Sequence, residues 1–74
     1  MPKRPIPEPN YEAIGRRIRQ LRGAMRQVEL APLLGITQGQ LSKMEKGQAA
    51  PTVAVVLRLC AAFDVSADWI LRGK

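Results

Sequence analysis

The sequence predicts an all-α domain of five short helices, and three observations lead to this fold class. Apolar residues recur at the three- and four-residue spacing of helices, and no alternating run is long enough for a β-strand. Glycine, proline and cap-forming residues divide the pattern into five segments. The 74 residues suffice for one domain, and domains this small bury only about 60% of their unfolded surface. Stability must therefore come from a compact helical core or from a partner.

The chain begins with a segment that cannot be helical. Residues 1–10, MPKRPIPEPN, contain four prolines and are predicted to form a Pro-rich flexible arm. The helical domain then covers residues 11–74. Its first helix is predicted from 11 to about 23, with Asn10 as N-cap and Gly23 at its end.

The second and third helices are separated by Gly35. Their apolar positions are Leu30, Ala31, Leu34, Ile36, Leu41 and Met44. The small Ala31 lets two helices cross closely, and Gly35 can take the left-handed conformation of a tight turn. Thr37 caps the third helix, and Gln40 three positions later completes a capping box. This is the spacing of a helix-turn-helix that ends at Gly47.

The last two helices open at Thr52, after Pro51, and at Ser66. The fourth is expected to bury a broad apolar face made of Val53, Val56, Leu57, Cys60, Ala61 and Phe63. The fifth is short, carries Trp69 and ends at Gly73. Trp69 could serve as a dimer contact or could cover the core.

Composition excludes several classes of function. Histidine is absent, the six carboxylates are scattered and Cys60 is the one cysteine, so no catalytic or metal-binding constellation can be assembled. We therefore expect neither an enzyme nor a cofactor-binding or metal-binding protein. The longest apolar runs, such as residues 53–57, are far shorter than the roughly 20 residues of a membrane helix. A cytoplasmic protein is expected.

Charge is the first indication of function. Twelve Lys and Arg against six Asp and Glu give a net charge of +6, which favours a polyanionic partner such as nucleic acid. Residues 16–47 hold seven basic and two acidic residues, whereas residues 48–74 hold three basic and two acidic ones. The excess therefore surrounds the helix-turn-helix.

The third helix has a polar arc suited to DNA. If Leu41 and Met44 face inward, the opposite arc at 100° per residue contains Gly39, Ser42, Lys43 and Lys46, flanked by Gln38 and Gln40. Glutamine can bridge adenine N6 and N7, and lysine can donate to guanine O6 and N7. These side chains predict readout of the major groove.

The segments that carry these features are IGRRIRQLR at 14–22, QVELAPLLGITQGQLSKMEKG at 27–47 and PTVAVVLRLCAAFDVSADWILRG at 51–73. Through them the chain resembles the Cro and phage-repressor type of helix-turn-helix domain, also called the XRE family. The resemblance implies a five-helix, lambda-repressor-like fold. It also implies a cytoplasmic DNA-binding regulator of a prokaryote or phage, associated with the nucleoid.

The resemblance also implies roles for individual residues. Base reading is expected of Gln38, Gln40 and Lys43. Contacts to the DNA backbone are expected of Arg26, Gln27, Thr37, Ser42 and Lys46. Glu45 resembles the structural acid of the family, which pairs with an arginine of the first helix; Arg22 is the matching candidate, and Arg19 is the alternative because the link before Gln27 is short.

Besides the short link before Gln27 and the neutral loop at residues 48–50, three residues depart from the family pattern. Arg26 stands where a Ser or Thr cap is usual, which forfeits a capping bond but places a cation beside Gln27. Pro32 falls inside the second helix, where it removes a backbone hydrogen bond. Gly39, in the middle of the polar arc, either gives up a base contact or lets the helix approach more closely.

These observations predict a sequence-specific transcriptional regulator, a repressor by family resemblance, that binds a two-fold symmetric operator in double-stranded DNA as a homodimer. Two alternatives remain open at this point. One is an antitoxin or restriction controller that regulates its own promoter and has a toxin or other protein partner. The other is a protein- or RNA-interaction module built on the same fold.

Overall fold

The computed structural model describes all 74 residues and contains five α-helices without any strand. The helices are α1 (Tyr11–Arg22), α2 (Gln27–Leu33), α3 (Gln38–Glu45), α4 (Val53–Phe63) and α5 (Ala67–Arg72). The predicted all-α fold class is confirmed. Residues 1–10 precede α1, contain no helix and are exposed throughout. None of the five helices has the length and apolar character needed to span a bilayer.

The N-terminal caps are those that the sequence indicates. In four helices the side-chain oxygen of the cap accepts a hydrogen bond from the amide three residues later, which satisfies one of the free amides of the first turn. These caps are Asn10 of α1 (3.0 Å), Thr37 of α3 (3.1 Å), Thr52 of α4 (3.2 Å) and Ser66 of α5 (3.0 Å). Local sequence therefore determines where these helices begin.

The turn between α2 and α3 has the geometry that Gly35 was expected to provide. Gly35 has a φ of +71°, in the left-handed region. Its amide donates to Pro32 O (3.1 Å), and the amide of Ile36 donates to Ala31 O (3.1 Å). Together these bonds form a Schellman motif, which ends α2 and turns the chain sharply into α3.

Pro32 lies on the exposed side of the last turn of α2. Its missing N–H leaves the carbonyl of Val28 without its i+4 partner, and Val28 is itself exposed, so water can reach this end of the helix. Because α2 ends one residue later, at Leu33, the proline interrupts little helix. It helps to explain why α2 has only seven residues.

Every helix contributes to a single core. Each helix contributes one completely buried side chain, and Leu34 after α2 adds another; the five in the helices are Ile18, Leu30, Leu41, Leu59 and Ile70. Trp69 is half-buried and packs against this core, in agreement with the core-covering alternative. Burial of such apolar side chains supplies most of the stability of a small helical domain.

The predicted core face of α4 is partly wrong. Val55, Val56 and Leu59 are its buried residues, whereas Val53, Leu57 and Ala61 are exposed. Almost all of α4 is apolar, so hydrophobic periodicity alone did not identify the side that packs against the other helices. The exposed side thus carries large apolar residues with no partner inside the chain.

Helix α1 crosses the C-terminal end of α3 at Gly15, which is buried. A Cβ atom at this position would collide with the carbonyl oxygen of Met44 and would lie 2.6 Å from that of Glu45. Only glycine therefore allows the two backbones to approach this closely. Gly15 sets the distance between α1 and α3.

Beyond this crossing, α1 and α3 are joined by a buried ion pair between Arg22 and Glu45. The Arg22 Nε donates to Oε2 of Glu45 (2.7 Å) and Nη2 donates to Oε1 (3.0 Å), while Nη1 donates to the carbonyl of Met25 (2.7 Å). The two side chains are 8% and 5% exposed. The hydrogen bond to Glu45 is the main cause that raises the pKa of Arg22 above its ordinary value. The partner of Glu45 is therefore Arg22 and not Arg19.

Two further arginines connect helices through backbone carbonyls. Arg17 of α1 donates to the carbonyl of Ile70 in α5 (3.0 Å), and Arg58 of α4 donates to that of Leu34 at the end of α2 (2.9 Å). Cations are favourable partners for the free carbonyls at helix C-termini. Arg58 therefore holds the turn of the helix-turn-helix against α4.

We expect Gly15→Ala to destabilise the domain, because the added methyl group meets two backbone carbonyls that cannot move without displacing α3. Overpacking of this kind costs about 1–3 kcal/mol. Thermal and urea unfolding followed by circular dichroism measure the loss. A variant as stable as the parent chain would show that α1 and α3 are not held at the distance described.

We expect Glu45→Gln to lower the free energy of unfolding by about 3–5 kcal/mol, because it leaves the buried guanidinium of Arg22 without its counter-charge. Asp68→Asn is the matched control, since the pair between Arg72 and Asp68 is 65% and 52% exposed and should contribute about 0–1 kcal/mol. Urea unfolding measures both variants. Equal losses would contradict a structural role for the buried pair.

Candidate nucleic-acid interface

The candidate interface is built on the N-terminal end of α3, where Thr37 and Gln40 form a capping box. The amide of Gln40 donates to Oγ1 of Thr37 (3.1 Å), and the amide of Thr37 donates to Oε1 of Gln40 (2.8 Å). The hydroxyl hydrogen of Thr37 and the Nε2 group of Gln40 have no partner within the chain. Both groups can therefore donate to an acceptor outside the protein, and the helix dipole favours an anionic one.

A chain of hydrogen bonds leads from the buried ion pair to the exposed end of α3. The Nε2 of Gln27 donates to Oε1 of Glu45 (3.0 Å), and the Oε1 of Gln27 accepts from Nε2 of Gln38 (3.4 Å). Gln27 is half-buried, whereas Gln38 is exposed. Both ends of the Gln27 carboxamide are thus in use, and the orientation of Gln38 depends on it.

Gln38 remains able to read a base from this position. Its Oε1 and the second hydrogen of its Nε2 are free, and this donor and acceptor together match adenine N7 and N6. The hydrogen bond that Gln38 donates to Gln27 is long and exposed, at 3.4 Å. It favours one orientation of the Gln38 amide toward a partner.

The rest of the polar arc is open to solvent. Gly39, Gln40, Lys43 and Lys46 are exposed, and Ser42 is half-buried. Neither Lys43 nor Lys46 forms an ion pair within the chain. Leu41 and Met44 are buried on the opposite side, as the helical spacing predicts. This face carries two unpaired cations and no acidic side chain.

Arg26 stands at the N-cap of α2, and Glu29 in the first turn of the helix bonds back to it. The Oε1 of Glu29 accepts from the backbone amide of Arg26 (3.0 Å) and from its Nε (3.1 Å). These bonds hold the pKa of Glu29 below its ordinary value, so their stabilisation is present at neutral pH and is lost as the pH falls through that lowered pKa. Part of the Arg26 charge is thereby paired, which weakens its suitability as a phosphate ligand.

The basic residues of segment 16–47 are consequently not equivalent. Arg22 neutralises Glu45, Arg17 bonds a backbone carbonyl and Arg26 bonds Glu29. The remaining four are exposed and form no ion pair: Arg16, Arg19, Lys43 and Lys46. The charge available to a polyanion is smaller than the composition suggests, and it lies on α1 and α3.

Three features that support the interface escaped sequence reasoning: Gly15 at the crossing of α1 and α3, the bond from Gln27 to Glu45, and Arg58 at the turn. A glycine inside an otherwise amphipathic helix was an available signal for the first. The other two join residues 18 and 24 positions apart, and no local pattern indicates such pairs.

Comparison with known proteins agrees with this geometry. The helix-turn-helix family model HTH_3 matches residues 16–70. Among solved structures, the P22 c2 repressor protein in complex with synthetic operator 9T in the presence of Tl⁺ is similar, with a TM-score of 0.76 and 30% identity. That match covers 82% of this chain and 96% of the repressor chain.

A second solved structure is that of the restriction-modification controller protein C.AhdI from Aeromonas hydrophila. Its TM-score is 0.73 at 26% identity, over 84% of this chain and 97% of the controller. No curated protein matches the sequence. The two structural matches and the family model confirm the lambda-repressor-like fold that the sequence resemblance implied. The chain belongs to the helix-turn-helix family, among the DNA-binding transcriptional regulators of the Cro and phage-repressor type.

Proposed function

We propose that this protein represses transcription by binding a two-fold symmetric operator in double-stranded DNA as a homodimer, with α3 of each copy in the major groove. The observation that carries the proposal is the exposed N-terminal end of α3, where Gln38 is oriented through Gln27 by the buried Glu45. Major-groove readout needs a donor and an acceptor held in a defined orientation. The protein would bind DNA without catalysing a reaction. It would be located in the cytoplasm, at the nucleoid.

The exposed groups divide into base-reading and backbone-contacting sets. Gln38, Lys43 and the free Nε2 of Gln40 would read base edges. Phosphate contacts would come from Thr37, Ser42 and Lys46, with weaker contributions from Gln27 and Arg26, whose side chains already have partners in the chain. Phosphate contacts position a protein on DNA, whereas base contacts determine the sequence it selects.

The exposed apolar face of α4 and α5 supports the dimer. Val53, Leu57 and Leu71 are 77%, 62% and 42% exposed, and they lie along one groove. The groove is lined by Pro51, Val53, Val56, Leu57, Ala67 and Leu71. An exposed apolar groove of this kind is a candidate interaction site. Since Trp69 packs against the core, this groove is the better candidate for the dimer contact.

Charge favours a second copy as the occupant of this groove. The excess of basic residues lies in residues 16–47, whereas residues 48–74 are almost neutral, so two copies can meet here with little repulsion. The six residues that line the groove are fewer than the roughly 20–30 residues that each partner contributes to a stable interface. We therefore expect the dimer to form mainly on the operator.

Selection from random duplex DNA at moderate salt, followed by measurement of the protein stoichiometry, tests the proposal. The expected result is an enriched inverted repeat whose half-sites lie about one helical turn, 34 Å, apart and which binds two copies. Absence of any enriched motif would contradict it and would favour a protein- or RNA-interaction module.

Control of a restriction-modification system is a second candidate, and the similarity to the controller C.AhdI favours it. Both candidates use the same DNA-reading surface, so they differ only in the promoter to which the protein binds. Binding to the protein's own promoter and to that of a neighbouring restriction gene would support the second candidate.

We expect Lys43→Ala and Lys46→Ala to have different effects. Loss of Lys43 should relax selection at one base pair, with about 1–3 kcal/mol less discrimination there, because its proposed partner is a base edge. Loss of Lys46 should weaken binding to all duplexes alike and lower the slope of log affinity against log salt by about 1. Titrations over a series of salt concentrations separate the two. Equal losses on every duplex for both variants would contradict the division of roles.

We expect Leu57→Asp to reduce the cooperativity of operator binding while leaving binding to a single half-site unchanged, because it places a charge in the apolar groove. Ala62→Asp is the matched control: Ala62 is exposed on the same helix but does not line the groove. Gel-shift titration on full and half operators measures both. Unchanged cooperativity in Leu57→Asp would show that the copies meet elsewhere.

A further inference from the structure

Gly39 is an exposed residue in the first turn of α3, between Gln38 and Gln40. Its backbone is helical, and its φ is not positive. A Cβ atom added there would meet a single neighbour, Oγ1 of Thr37, at 4.0 Å. Neither the packing nor the backbone conformation of the free protein therefore requires glycine at this position.

Gly39 is alone in this respect among the six glycines of the chain. Gly15 is enclosed by the carbonyl oxygens at the end of α3. The other four have positive φ values, which side chains disfavour: Gly23, Gly35, Gly47 and Gly73. Five glycines thus have an explanation inside the protein, and Gly39 has none.

Glycine is also a poor choice for a helix, because it loses more conformational freedom on folding than alanine does. A position that merely makes no base contact could hold alanine, which would stabilise α3 and add one methyl group to open space. The absence of even that methyl group indicates that the surface of a binding partner comes close to position 39.

We propose that Gly39 is the point at which the backbone of α3 comes into van der Waals contact with a base edge in the major groove. This rests on the proposed function, since it requires α3 to enter the groove. Gln38 and Lys43 then reach their base pairs because the helix can seat deeply between them. Because Gly39 has no side chain, α3 can approach the bases closely, and Gly39 is in this way a specificity-determining residue.

The test compares the parent chain with Gly39→Ala on two duplexes: the consensus obtained by selection and a shuffled duplex of the same composition. Thermal unfolding should show a melting temperature equal to or higher than that of the parent. Affinity for the consensus should fall at least fivefold. Affinity for the shuffled duplex should stay the same, because non-specific binding depends on phosphate contacts and not on insertion of the helix.

Gly39→Ser provides a second variant and should bind the consensus more weakly than Gly39→Ala does, since its side chain is larger. A loss of less than fivefold for Gly39→Ala on the consensus, or a gain, overturns the inference while leaving the proposed function intact. Equal losses on both duplexes also overturn it, because they indicate a general structural effect. Failure of the parent chain to enrich any consensus overturns the proposed function and the inference together.

Discussion

The buried ion pair between Arg22 and Glu45 is the interaction on which the proposed DNA-reading surface depends. It joins the C-terminal end of α1 to that of α3, and one carboxylate oxygen of Glu45 also accepts the amide of Gln27. A buried pair of this kind adds little net stability over apolar packing, but removal of one partner is costly. Its value here is positional, since the same carboxylate that holds α3 also orients Gln27 and, through it, Gln38.

Local interactions elsewhere in the fold also fix the position of α3. Caps define where each helix starts, the Schellman motif at Gly35 turns α2 into α3, and Gly15 lets α1 approach α3 closely. One completely buried side chain from each helix closes the core. A short helix such as α3, with eight residues, is stable only in such a context, because isolated helices of this length are marginal in water.

The parts of the fold that depend on neighbours in the chain are predictable from the sequence. Helix starts at Asn10, Thr37, Thr52 and Ser66 follow from the hydrogen-bonding chemistry of single side chains, and Gly35 follows from the demands of a tight turn. The prediction that Arg22 pairs with Glu45 depended on the resemblance to a family. The core side of α4 was misassigned in part because an almost wholly apolar helix has no distinct polar face to orient it.

What sequence could not predict depends on distant residues. The bond from Gln27 to Glu45 gives Gln27 a second role, the positioning of Gln38, beside its proposed phosphate contact. Likewise, Arg26 is partly paired with Glu29, and the exposed apolar groove of α4 and α5 appears only when Val53, Leu57 and Leu71 are brought together. These facts divide the basic, glutamine-rich segment into residues that hold the surface and residues that face a partner.

The central claim, that α3 reads bases in the major groove, is tested most directly by substituting 7-deazapurines one at a time along the selected duplex. This substitution replaces the N7 acceptor in the major groove with a C–H group and leaves the minor groove and phosphates unchanged. The account predicts affinity losses of about 1–3 kcal/mol confined to two short blocks about one helical turn apart. Binding that is insensitive to 7-deazapurines at every position would contradict it.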